Sequence, residues 1–130
     1  MDKEENSPLR LIIAGSREFD WLDTDDIREL VANHFPQVKV LASVALVCGM
    51  ARGVDMLGHK WAKEEGIPIE EYPAEWDKHG KQAGFIRNRI MQSKADALLA
   101  IWNGKSRGTK DMILCMLHND KPVHVELLYE

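Results

Sequence analysis

Three apolar runs of this chain each end at a glycine-bearing loop that leads into a segment with helical spacing. Leu11-Ile12-Ile13-Ala14 precedes Gly15-Ser16-Arg17, and Val44-Ala45-Leu46-Val47-Cys48 precedes Gly49-Met50-Ala51-Arg52-Gly53. The run from Ala97 to Trp102 precedes Gly104-Lys105-Ser106-Arg107-Gly108-Thr109. An uninterrupted apolar run suits a strand covered on both faces, as in a parallel sheet. A strand–loop–helix step that recurs requires crossover connections and therefore an α/β architecture. Glycine lets a ligand approach the backbone, and a helix start offers unpaired N–H groups to an anion. Each loop also carries an arginine, Arg17, Arg52 or Arg107. A phosphate-bearing ligand is the leading expectation.

Hydrophobic periodicity fills in the elements. Residues 9–14 read as a strand, interrupted only by Arg10, and Ile27, Leu30, Val31, His34 and Phe35 as one helix face. Asp23 or Thr24 can cap that helix, and Pro36 lies beyond its end. After the strand 44–48, Val54, Leu57, Gly58, Trp61 and Ala62 form a second helix face with Gly66 as its stop. Pro68–Tyr72 reads as a short strand toward the sheet edge, and Pro73–Gly84 as a long functional loop. A helix with Ile86, Ile90 and Met91, the strand 96–102, a helix with Met112, Ile113, Met116 and Leu117, and the strand Val123–Leu127 complete the chain. The expectation is a Rossmann-like three-layer α/β sandwich with a mostly parallel sheet of about five strands, forming one domain over residues 9–130. The polar residues 1–8 read as a frayed terminus. In such sheets ligands bind outside the strand carboxyl ends, where all three loops fall.

Charge narrows the ligand. The 130 residues carry a net charge of −4 with no long basic run, which argues against a nucleic-acid partner held by many phosphate contacts. It says little about a nucleotide gripped by local arginines. No apolar run is long enough to span a bilayer, and the polar start has no signal-peptide core. Cys48 and Cys115 fall in apolar segments without metal-ligand spacing and read as reduced thiols, so the expected compartment is the cytoplasm. The histidines, His34, His59, His79, His118 and His124, are scattered with no helical metal spacing; neither metal nor cofactor is expected.

The individual motifs allow two readings each. Gly15-Ser16-Arg17 is a phosphate grip or a plain turn with a solvated arginine. Gly49–Gly53 matches neither the dinucleotide fingerprint nor the Walker A pattern, yet a loop of that length can aim N–H groups at an anion. Asp55 either complements the helix dipole or accepts a ribose hydroxyl. In Arg87-Asn88-Arg89, helical spacing sends the two arginines to different faces, so that either one faces the pocket and the other the surface, or both are surface charge on an amphipathic helix. Ser106-Arg107-Gly108-Thr109 is the best phosphate candidate and equally an N-cap. Trp76 and Trp102 sit near strand ends, where Trp76 can stack on a base and Trp102 reads as core.

Taken in order, several stretches resemble the SLOG superfamily of Rossmann-like nucleotide-ligand proteins, and within it the small YspA-like (cpYpsA-related) branch. They are Ala14–Asp20, Cys48–Asp55, Pro73–Trp76, His79–Gly84, Arg87–Met91 and Ser106–Met112. The resemblance implies a nucleotide-derived ligand held by Gly15, Ser16, Arg17, Gly49, Arg52, Gly53, Asp55, Arg87, Asn88, Gly104, Ser106, Gly108 and Thr109, and a homodimer. The superfamily also contains Lonely Guy-type phosphoribohydrolases, which cleave a nucleoside monophosphate to base and ribose 5-phosphate. Arg87 and Met91 match one motif of those enzymes, with Asn88 in place of its lysine, and Gly108 and Thr109 match another. The glutamate of that second motif falls on Met112, with Asp111 one residue early. One residue turns a helical side chain by about 100°. The sequence therefore favours a nucleotide-binding sensor or processing module. N-glycosidic hydrolysis by Arg87 and Asp111 is the alternative.

Overall fold

The computed structural model describes residues 7–38 and 43–129. Most of the terminus expected to fray, residues 1–6, lies outside the described residues; Ser7 and Pro8 lead directly into the first strand. The elements are β1 (Leu9–Gly15), α1 (Thr24–His34), β2 (Val44–Cys48), α2 (Val54–Glu65), β3 (Ile69–Glu71), α3 (Trp76–His79), α4 (Ala83–Lys94), β4 (Ala97–Trp102), α5 (Arg107–His118) and β5 (Val123–Leu127).

All strands are parallel, in the order β3-β2-β1-β4-β5. The chain winds outward from β1 to β3, then crosses back over β1 to place β4 on its other side. Leu11, Ile13, Leu46, Leu99 and Ile101 pack against Ile27 and Val31 of α1 and Val54 and Trp61 of α2. Ile12, Ala14, Val47, Leu98 and Ala100 point the opposite way, onto Met91 of α4 and Met112, Ile113 and Met116 of α5. This period-2 division explains why the central strands β1, β2 and β4 are apolar at nearly every position. The exception, Arg10, pairs with Glu70 on β3, whose carboxylate also accepts from the Tyr72 hydroxyl at 2.9 Å.

Local chemistry sets the helix bounds. Asp23 caps α1, accepting from the Asp26 N–H at 3.0 Å, while Asp26 accepts from the Asp23 N–H at 2.9 Å. Gly66 closes α2 in the left-handed conformation with φ 71°. One expectation is corrected: Pro73–Gly84 is not an open loop. It contains α3, a 3-10 turn over Gly80–Gln82 and the first residues of α4. Its glycines and charged residues hid short helical turns that carry no apolar stripe.

Candidate functional site

The reversal of winding direction between β1 and β4 leaves a crevice at their carboxyl ends, and the loops that follow the strands build its walls. Ser16 stitches its floor. Its N–H donates to the Ile101 carbonyl at 3.0 Å, and its hydroxyl accepts from the Asn103 N–H at 3.1 Å. Ser16 is buried and spends its polar groups on this seam, whereas the exposed Arg17 beside it lines the crevice.

The loop after β2 is pressed against the first. Gly53, the N-cap of α2, has φ 84°, and a Cβ there would lie 2.6 Å from Cα of Arg17 and 2.8 Å from the Ser16 carbonyl oxygen. Glycine is required both by the backbone angle and by this approach. At Gly49 an added Cβ would sit 2.8 Å from Oδ2 of Asp55 and 2.9 Å from Nη1 of Arg87, so these two side-chain ends would have to shift. Asp55, in the first turn of α2, is buried, and its Oδ2 accepts from the Ala51 N–H at 3.3 Å. Burial pushes its carboxyl up to about 6, against the opposing pull of Arg87 and of the Ala51 and Gly15 N–H groups.

Arg87 extends from α4 toward the same loop, close enough for its charge to act on Asp55. Its Nη1 donates to the Gly49 carbonyl and, at 3.4 Å, to the Tyr72 carbonyl, and its Nε donates to Oδ1 of Asn88 at 3.1 Å. Burial lowers its affinity for the proton, an effect that Asp55 opposes. The neighbouring Cys48 thiol is pushed up to about 11, mainly by burial. Arg89 projects outward and forms a two-pronged pair with Asp111, at 2.9 and 3.1 Å. Asn88 donates to Oδ2 of Asp111 at 3.0 Å and to the Gly108 carbonyl at 3.2 Å, binding α4 to α5.

The third loop is organised around Asn103, whose Oδ1 accepts from the N–H groups of Lys105 and Ser106, each at 2.8 Å. Trp102 is half-buried and its indole N–H donates to the Ser106 carbonyl at 3.0 Å. Ser106 caps α5, accepting from the Thr109 N–H at 3.4 Å, with the two hydroxyl oxygens 3.1 Å apart. This helix start faces the crevice and presents N–H groups that have no partner within the helix.

Gly15, Arg17, Asp55, Arg87, Asn88, Ser106, Gly108 and Thr109 thus line one cavity of about 290 Å³. Ser16, Gly49 and Gly53 form the framework behind it, as described. Arg52 is exposed and Gly104 (φ 80°) lies 3.7 Å from Leu127 by its would-be Cβ; neither belongs to the lining, and neither does Asp111. The lining also includes Lys81, Phe85 and Met112, which the sequence reading did not propose as ligand contacts, together with Trp76. Lys81, Gly84, Phe85 and Asn88 recur at helical spacing, so they share a face. Phe85 is the one large apolar side chain among them, so the face carries no continuous hydrophobic stripe.

Residues 9–79 match the family model described as YspA, cpYpsA-related SLOG family. The chain is also similar to the Gene 61 protein of Mycobacterium phage D29, 34% identical over 107 residues that span 78% of this chain and 82% of the phage protein. No solved structure gives a match.

Proposed function

The chain belongs to the YspA, cpYpsA-related SLOG family, and from that premise we propose that the crevice binds a nucleotide or nucleotide-derived ligand, as part of a sensor or processing module. The observation that carries this reading is the convergence of Arg17, Arg87 and the start of α5 on one cavity. Guanidinium groups and the free N–H groups of a helix start are the two phosphate-binding devices most used by proteins. At about 290 Å³ the cavity is near the lower end of the range for small-molecule sites and suits a mononucleotide-sized ligand. The phosphate lies against Gly108, Thr109 and Arg17, and the base against the faces of Trp76 and Phe85. Asp55 is the carboxylate in the lining and takes a ribose hydroxyl.

A thermal-shift panel of nucleoside phosphates, cyclic nucleotides and ADP-ribose tests this. Stabilisation by at least one compound, lost in Arg17→Ala, is expected. No stabilisation by any of them, or an undiminished response in the variant, overturns it.

A second reading, hydrolysis of a nucleoside monophosphate at its N-glycosidic bond, is favoured by one observation. Asp55 places a buried carboxylate in the lining of the crevice, and burial pushes it up to about 6, which suits proton transfer near neutral pH. Asp111 supports it less, because its oxygens already accept from Asn88 and Arg89 and it stands outside the lining. The residue lining the crevice at the hydrolase glutamate position is Met112. Chromatography of purine monophosphates incubated with the protein should then show free base, lost in Asp55→Asn and kept in Asp111→Asn. Absence of base leaves binding alone.

The compartment and the assembly state follow as lesser proposals. Two free thiols, Cys48 and Cys115, fit a reducing cytoplasm. Ile90 on α4 and Leu114 and Leu117 on α5 remain exposed, which favours a homodimer; sedimentation reads this directly. No helix among the described residues is long and apolar enough to cross a membrane.

A further inference from the structure

We propose that His34, His124 and Glu126 form a binding site for a divalent transition-metal ion of the zinc type, which clips the edge strand β5 to the end of α1. These residues lie where the end of α1 meets β5, and none of them lines the crevice. His34 is in the last turn of α1. His124 and Glu126 are two apart on β5, so strand geometry turns both to the same face. The two imidazoles stack with centroids 3.4 Å apart and planes inclined by 12°. Nε2 of His124 lies 2.9 Å from Oε1 of Glu126. One ligand atom from each of the three residues falls within 4.8 Å of the others.

The donor set has a definite chemical preference. Two imidazole nitrogens and one carboxylate oxygen suit zinc and its neighbours in the first transition row, with water completing the shell. A tetrahedral ion with bonds near 2.0–2.1 Å holds its ligand atoms about 3.3 Å apart. The present spacing therefore needs only a modest contraction, achieved by turning the imidazoles out of their stack. His34 is exposed and His124 and Glu126 are partly so, which leaves room for that movement. Asp26 and Glu29 line the same cleft as His34 and Glu126 and make it attractive to a cation.

The location gives the site a purpose. Among the described residues β5 pairs only with β4 and is the last strand of the sheet. An ion shared between β5 and α1 would fasten this outer strand to the layer that covers it, and binding to the folded chain alone raises stability by mass action.

Calorimetric titration of the chelator-stripped full chain with Zn²⁺, with Co²⁺ absorption as a report on ligand geometry, tests the proposal. We expect saturable binding of one ion per chain and a raised melting temperature. Both should weaken by about tenfold or more in His34→Ala and in Glu126→Gln. His118→Ala, an exposed histidine outside the cluster, should leave them unchanged. Because His34 is exposed, its removal leaves the core intact. Absence of one-to-one binding, equal affinity in His34→Ala, or a loss in His118→Ala would each overturn the proposal.

Discussion

Arg17 and Arg87 line the same cavity but hold different places in the molecule. Arg17 is exposed, so Arg17→Ala should weaken ligand binding by tenfold or more while changing the unfolding free energy by no more than about 0.5 kcal/mol. Arg87 joins the β2 loop to the end of β3 through the Gly49 and Tyr72 carbonyls, and Arg87→Ala leaves these acceptors without their donor at a cost of roughly 1–3 kcal/mol. Urea unfolding of the two variants, beside ligand titration, separates these outcomes. Asp55 carries a pH signature. Its carboxyl, ordinarily near 3.9, is pushed up to about 6 in the fold. Between these values the folded chain holds a proton that the unfolded chain has released. The contribution of Asp55 therefore declines as pH rises from about 4 to about 6, and above that the fold carries a buried charge at roughly 3 kcal/mol. Relative to the native chain, Asp55→Asn should gain about that much stability between pH 4 and pH 7.5 in urea titrations at the two pH values. The sequence left two roles open for Asp55 because depth of burial is not written in the local residues. Met112 was legible as a departure from the hydrolase pattern, but only the fold shows that it faces the crevice.

Among the elements, the start of α5 combines stability and recognition in one turn. Ser106→Ala removes the cap and should cost about 1 kcal/mol in thermal unfolding. It should also weaken phosphate binding, because the helix start loses its fixed position. Gly53→Ala tests the contact between the first two loops. The substitution meets both a positive φ and the backbone of Arg17, and a soluble variant with an unchanged melting temperature would show that the loops can separate freely. Strands were the most legible elements: β2 begins and ends where its apolar run does, and β5 spans the Val123–Leu127 that the sequence predicts. The Pro73–Gly84 region was the least legible, since α3 is a single turn whose side chains are largely exposed. Short polar helices have no periodic signature to read.

For the whole molecule, a ligand that binds only the folded chain should raise its stability by about 2.7 kcal/mol at a concentration a hundred times its Kd. Melting curves at increasing ligand should shift without a plateau, and a shift that stops early would reveal binding to another state. The alternation of apolar runs with helical faces was enough to determine an α/β sheet of parallel strands, because only that architecture buries such runs on both faces. Glycines at the strand ends likewise marked where a ligand could approach. Tertiary structure alone decided which side chains share the crevice. The strand order 3-2-1-4-5 brings the loops after β1, β2 and β4 together, although they are separated by dozens of residues. It also sets His34 against His124 and separates Asp111 from the cavity. Periodicity is a local property of the chain, whereas these meetings depend on how the crossovers are wound.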